Sequence, residues 1–180
     1  MRIFTLIGLV LFASLIGGVY GAVYDQLTYS ISPEFFTKFR FELFNPDPTM
    51  NTRLAVAWIG FLNTWKTGAI IGGVLALTGM INLDYKRMFK FSVYAFLIAM
   101  VIAFATGLIG WSVSPLANQE DPGVELNILD KVAFKTVVNM NNFSYAGGVI
   151  GMFVGVFYQL YGHRRYRIRQ SLDNNNNPIA

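Results

Sequence analysis

The chain has 180 residues, of which 54% are hydrophobic and 13% charged, about half the roughly 25% charged share of a soluble domain. That leaves too few polar side chains to clothe a water-facing surface, so much of the solvent must be lipid. With no cysteine and one histidine, disulfides, thiolate metal sites, thiol nucleophiles and bis-histidine haem ligation are excluded; the net charge of +4 sits beside apolar runs, which points to membrane topology rather than to nucleic acid.

A spanning helix needs about 20 mainly apolar residues. Four segments meet that length: residues 3–24, 54–80, 92–113 and 132–161. The first has Arg2 before it and Val19-Tyr20-Gly21 near its end, as a signal peptide would. Its apolar run exceeds a signal core, so it reads as a true span. The connections are short, which favours antiparallel neighbours. The expected fold is all-α: one four-helix transmembrane bundle over residues 1–172, with a short interfacial helix after span one and a disordered tail over 173–180.

Between spans one and two, Ser32-Pro33-Glu34 reads as a helix start, with Ser as N-cap, Pro at the first helical position and an acid in the first turn. Phe35, Phe36, Phe39, Phe41 and Phe44 follow, so this helix should lie in the interface. Asn45-Pro46-Asp47-Pro48 stops it. Asn118–Pro122 reads as a polar linker.

Basic residues set the orientation. Arg2, Lys86, Arg87, Lys90, Arg164, Arg165, Arg167 and Arg169 fall on one side, against Lys38, Arg40, Arg53, Lys131 and Lys135 on the other. Both termini are therefore expected in the cytoplasm. The outer side also collects the acids Asp25, Glu34, Glu42, Asp47, Glu120, Asp121, Glu125 and Asp130.

Small residues recur four apart: Gly17 and Gly21, Gly68 and Gly72, Ala103 and Gly107, then Gly147, Gly151 and Gly155. Such stripes let helix backbones approach in lipid. They serve either packing within the chain or, on span four, a seam between two copies.

Polar groups inside lipid are expensive and often functional. Asn63 and Lys66 lie in span two, Asn141, Asn142, Ser144 and Tyr145 in the outer half of span four, and Asp25 and Gln26 at the outer end of span one. With Glu34, these form the candidate site. Two readings stand: a water-accessible pocket open outward, or inter-helix hydrogen bonds that fix the bundle. Lys66, near mid-depth, should face the bundle with a partner or snorkel along its stem. No catalytic geometry is visible. His163 sits in a basic anchor, a metal cluster is missing, and Asp25 and Glu34 are too far apart in sequence to read as paired acids. Neither a cofactor nor an enzymatic activity is expected.

Three stretches resemble a widespread family of uncharacterised small bacterial membrane proteins. Tyr24–Phe36 (YDQLTYSISPEFF) is similar to its DQ-T-IS-EYF stretch, Arg53–Gly73 (RLAVAWIGFLNTWKTGAIIGG) to its RLG…ATWWVG…G pattern, and Asn141–Gly148 (NNFSYAGG) to its HN-SY-GG motif. The resemblance implies four spans in a bacterial inner membrane and brings no activity with it. The family's fourth-span histidine is Asn141 here and its second tryptophan is Lys66, which weakens a proton-relay or metal role. The function expected from the sequence is a binding or assembly component, alone, as a homo-oligomer or as a subunit of a larger membrane complex. The alternative is a transporter or channel-like protein with an outward-facing polar pocket; an enzyme acting on lipid or quinone ranks last.

Overall fold

A computed structural model of the chain describes residues 1–82, 84–114 and 128–176, with side chains as far as 172. The predicted linker Asn118–Pro122, the acids Glu120, Asp121 and Glu125, and the tail beyond Asn176 lie outside the described residues. Helix α1 runs over Arg2–Ile31, α2 over Pro33–Phe35, a π-helical turn over Phe36–Arg40, α3 over Phe41–Phe44, α4 over Thr52–Gly79, α5 over Tyr85–Val113 and α6 over Lys131–Asn176. Helices α1, α4, α5 and α6 are long and apolar enough to cross a bilayer, so the protein is a multi-pass, all-α membrane bundle.

Local chemistry sets the ends. Helix α1 does not stop at Tyr24; it continues to Ile31 because nothing before Pro33 breaks it. A residue preceding proline is pushed out of the α region, and Ser32 accordingly sits at φ −138°, ψ 95°. Asn45 ends α3 in the left-handed region at φ 44°, which Asn tolerates better than most residues, and two prolines follow. Asn51 Oδ1 accepts from Arg53 N at 3.0 Å to start α4. Asp84 Oδ1 accepts from Lys86 N at 3.2 Å to start α5, earlier than the apolar run suggested. Helix α6 runs past the expected end at Tyr161 to Asn176; at 1.5 Å per residue its 46 residues span about 69 Å, well beyond the bilayer.

The bundle is two tightly packed helix pairs, α1 with α4 and α5 with α6, that meet along a much sparser seam. Glycines make each pair close. A Cβ on Gly17 would lie 2.8 Å from Gly68 Cα, and one on Gly151 would lie 2.6 Å from Ala99 Cα. Gly72 meets Ala13, Gly147 meets Thr106 and Gly155 meets Ala95. The span-four stripe is thus occupied by α5 of the same chain. Thr64 Oγ1 adds hydrogen bonds to Gly17 O at 2.9 Å and Gly60 O at 2.7 Å.

The end that carries Arg2 is tied by polar groups. Arg2 donates to Met80 O and Asn82 O, His163 Nδ1 lies 3.2 Å from Asn82 Oδ1, and Gln159 donates to Leu75 O at 3.0 Å. His163 therefore braces the α4–α5 turn. Above it, Ala13, Leu75, Ala95 and Phe96 form the core where the pairs touch. At the opposite end, α2, the π-helical turn and α3 form a strap. Phe35 and Phe36 enter a buried cluster with Val56, Phe134 and Val137.

Candidate functional site

Between the apolar core and the strap, polar side chains join the two helix pairs. Tyr24 donates to Met140 O at 3.0 Å, Tyr20 Oη lies 3.1 Å from Ser144 Oγ, and Asn63 donates to Tyr145 Oη. These bonds clamp α6 to α1 and α4. They frame a cavity of about 70 Å³ to which all four spans contribute, room for several waters at roughly 10–15 Å³ each. Ile71, Phe96, Met100 and Ala103 make its floor apolar, whereas Asp25, Thr67 and Asn141 supply polar groups.

Two of those groups have no partner. Asp25 is 3% exposed and its Oδ2 accepts no hydrogen bond; Asn141 is 8% exposed and its Nδ2 donates none. Leaving a buried donor or acceptor unmade costs about 1–3 kcal/mol. An acceptor and a donor of this kind in one chamber are chemistry suited to a hydrogen-bonding guest. Arg40, itself 7% exposed, stacks 5.3 Å over the Phe35 ring and acts electrostatically on Asp25. No ion pair joins Arg40 to Asp25. The π-helical turn carries this arginine, and such turns often mark functional sites; neither feature was legible beforehand.

Of the residues singled out in the sequence, Asp25, Asn63, Asn141, Ser144 and Tyr145 line the cavity. Four do not. Gln26 pairs with Arg53 on the outer edge of α1 and α4, donating to its carbonyl at 2.8 Å and accepting from Nη1 at 3.3 Å. Glu34 docks the strap on α6: its carboxylate accepts from Asp130 N at 2.9 Å and Leu129 N at 3.1 Å and pairs with Lys38 at 2.6 Å. Asn142 is exposed. Lys66 corrects the expectation of a bundle-facing charge. Thr64, Thr67, Gly68 and Ile71 form the cavity face of α4, and position 66 lies about 200° around the helix from position 64. Its ammonium instead sits 5.7 Å over the Trp65 ring on the exposed side.

Tyr20, Tyr24, Thr64 and Thr67 also line the cavity and were not singled out. A signal was present. Tyr20 and Tyr24 fall three residues after Gly17 and Gly21, and Thr64 four before Gly68, so they share the glycine-marked inward face.

No family model, curated protein or solved structure matches the chain. Among the described residues, no three His, Asp or Glu side chains gather as metal ligands would.

The Glu34 clamp has a consequence in acid. The amide N–H of Asp130, then Lys38, then the amide of Leu129 hold its carboxyl down to about 2, from an ordinary 4.5. A depressed folded-state value stabilises docking above the ordinary value and loses it as pH falls through the folded one. The strap is expected to stay docked above about pH 4.5 and to loosen toward pH 2. A nitroxide at Leu43→Cys, an exposed strap position, reads this as a gain in mobility. The same profile in Glu34→Gln would remove Glu34 as the cause.

Proposed function

We propose that this protein is a binding or assembly component of a bacterial inner membrane, with both termini in the cytoplasm, and that it holds an amphipathic molecule between its two helix pairs. The head of the guest hydrogen-bonds with Asp25 and Asn141, and its apolar body rests on Ile71, Phe96 and Met100. One observation carries this reading: an unpartnered buried acceptor and an unpartnered buried donor share a chamber with an apolar floor. The orientation is supported by the basic residues at the Arg2 end, and the membrane by the family resemblance of the three motifs. Within that reading the protein acts alone or as a subunit of a larger complex.

Native mass spectrometry of the detergent-purified protein is expected to retain a bound amphiphile. The double variant Asp25→Ala with Asn141→Ala should retain about eightfold less, as the loss of two hydrogen bonds of about 0.6 kcal/mol each implies in a membrane interior. A wild-type protein that carries nothing after extraction from native membranes, or a variant that retains as much, would sink the proposal.

A transporter is the second reading, favoured by the sparse seam between two tight pairs. Such pairs can rock as bodies about a central site. Movement of the retained molecule across proteoliposomes separates transport from binding alone.

A further inference from the structure

We propose that the cavity is loaded from the bilayer, through the seam between α4 and α6, and that its guest is a membrane-dissolved amphiphile with a hydrogen-bonding head. The route presupposes the binding reading above and adds the side of approach and the class of ligand.

Three sides of the cavity are closed by packing. Toward the outer surface, Phe36 is fully buried with Phe35 and Phe134, and Glu34 fastens this plug to α6. Along α1 and α5, Tyr24 stacks on Tyr20 at 5.7 Å and meets Phe104 edge-on at 6.3 Å. Toward the Arg2 end, Leu75, Ala95 and Phe96 are in contact.

The α4–α6 side differs in kind. At the level of the cavity its closure is the hydrogen bond from Asn63 to Tyr145, and Tyr145 is 40% exposed. Just beyond, Gly148 presents no side chain to Ile71, whose Cδ1 lies 3.6 Å from where a Cβ would stand. A single polar bond on a lipid-facing surface is a latch that a hydrogen-bonding head can replace one for one. Inside, the Asp25 carboxyl accepts from the head and the Asn141 amide donates to it.

Because the chain has no cysteine, a single introduced thiol reports the route. Ala103→Cys places one on the cavity floor. It is reacted with N-dodecylmaleimide dissolved in the bilayer, or with the charged trimethylammonioethyl methanethiosulfonate added to the water. Each rate is normalised to a reference thiol in its own phase, Ile70→Cys for lipid and Met50→Cys for water, both exposed positions. The lipid reagent is expected to be favoured by at least about tenfold, since a charged group enters the membrane interior reluctantly. Adding Tyr145→Phe should raise the lipid rate about threefold, the population shift of one membrane hydrogen bond, and leave the aqueous rate unchanged.

An aqueous rate equal to or above the lipid rate overturns the route, and so does a lipid rate indifferent to Tyr145→Phe. If circular dichroism shows that Ala103→Cys does not fold, Met100→Cys on the same floor takes its place. Labelling needs no bound guest. A lipid-favoured rate with nothing retained by mass spectrometry therefore strikes the binding reading, whereas retention with a water-favoured rate strikes the route.

Discussion

Phe36→Ala is expected to destabilise docking of the strap by about 3–5 kcal/mol, the range for a buried Phe truncated to Ala. Phe36 is 0% exposed. Its ring meets Tyr29 edge-on at 5.7 Å and Phe35 at 5.3 Å, within a cluster that includes Val56, Phe134 and Val137. It joins residues from α1, α4 and α6 to the strap, so no one helix can shift to fill the space its removal leaves. A nitroxide at Leu43→Cys should become mobile while the helical content of the spans is unchanged. The neighbouring Phe39, 39% exposed, provides the contrast, and Phe39→Ala is expected to cost far less. Equal responses from the two would mean that the strap is held by Glu34 and Lys38 rather than by the aromatic plug.

Gly151→Leu is expected to lower the stability of the α5–α6 pair by about 1–3 kcal/mol or more, as overpacking does in a close-packed interior. The obstacle is backbone: Ala99 Cα would stand 2.6 Å and Ala99 O 2.8 Å from the new Cβ, and neither can swing aside as a flexible side chain would. Gly8→Leu on α1 is the matched control, since nothing lies within 4 Å of a Cβ there. Unfolding in mixed micelles should shift for the first variant and hold for the second. If Gly151→Leu instead left the monomer intact and dissolved a dimer, the stripe would serve a seam between copies.

The elements were largely legible because each long helix carries its own signal. Spans need only length and hydrophobicity, and Ser32-Pro33 and Asn45-Pro46 stop helices by local sterics. The boundaries at Ile31 and Tyr85 moved because helix continuation into a polar stretch depends on caps such as Asp84 and on the absence of a breaker, which hydrophobicity does not register. Half of the candidate site was legible for a similar reason. Asp25, Asn63, Asn141, Ser144 and Tyr145 are polar groups at the same depth, and depth follows from counting residues along a helix. Rotation about the helix axis does not. Lys66 and Asn142 have the right depth and face the wrong way, and Glu34 lies beyond the helix it was grouped with.

The sequence alone determined the membrane class, the four long apolar helices, the helix start at Pro33 and the band of polar residues, since these follow from composition and from interactions between near neighbours in the chain; that Phe35 and Phe36 plug the bundle instead of lying in the interface was decided by packing. The tertiary structure decided which polar groups meet. Glycine contacts such as Gly17 on Gly68 and Gly151 on Ala99 fix the rotation of each helix within its pair. The tyrosine and asparagine clamps then tie the pairs together, bringing polar residues remote in sequence around one chamber. Arg40 is buried only because the strap folds back over the bundle, an arrangement of distant packing surfaces that no local pattern in the chain encodes.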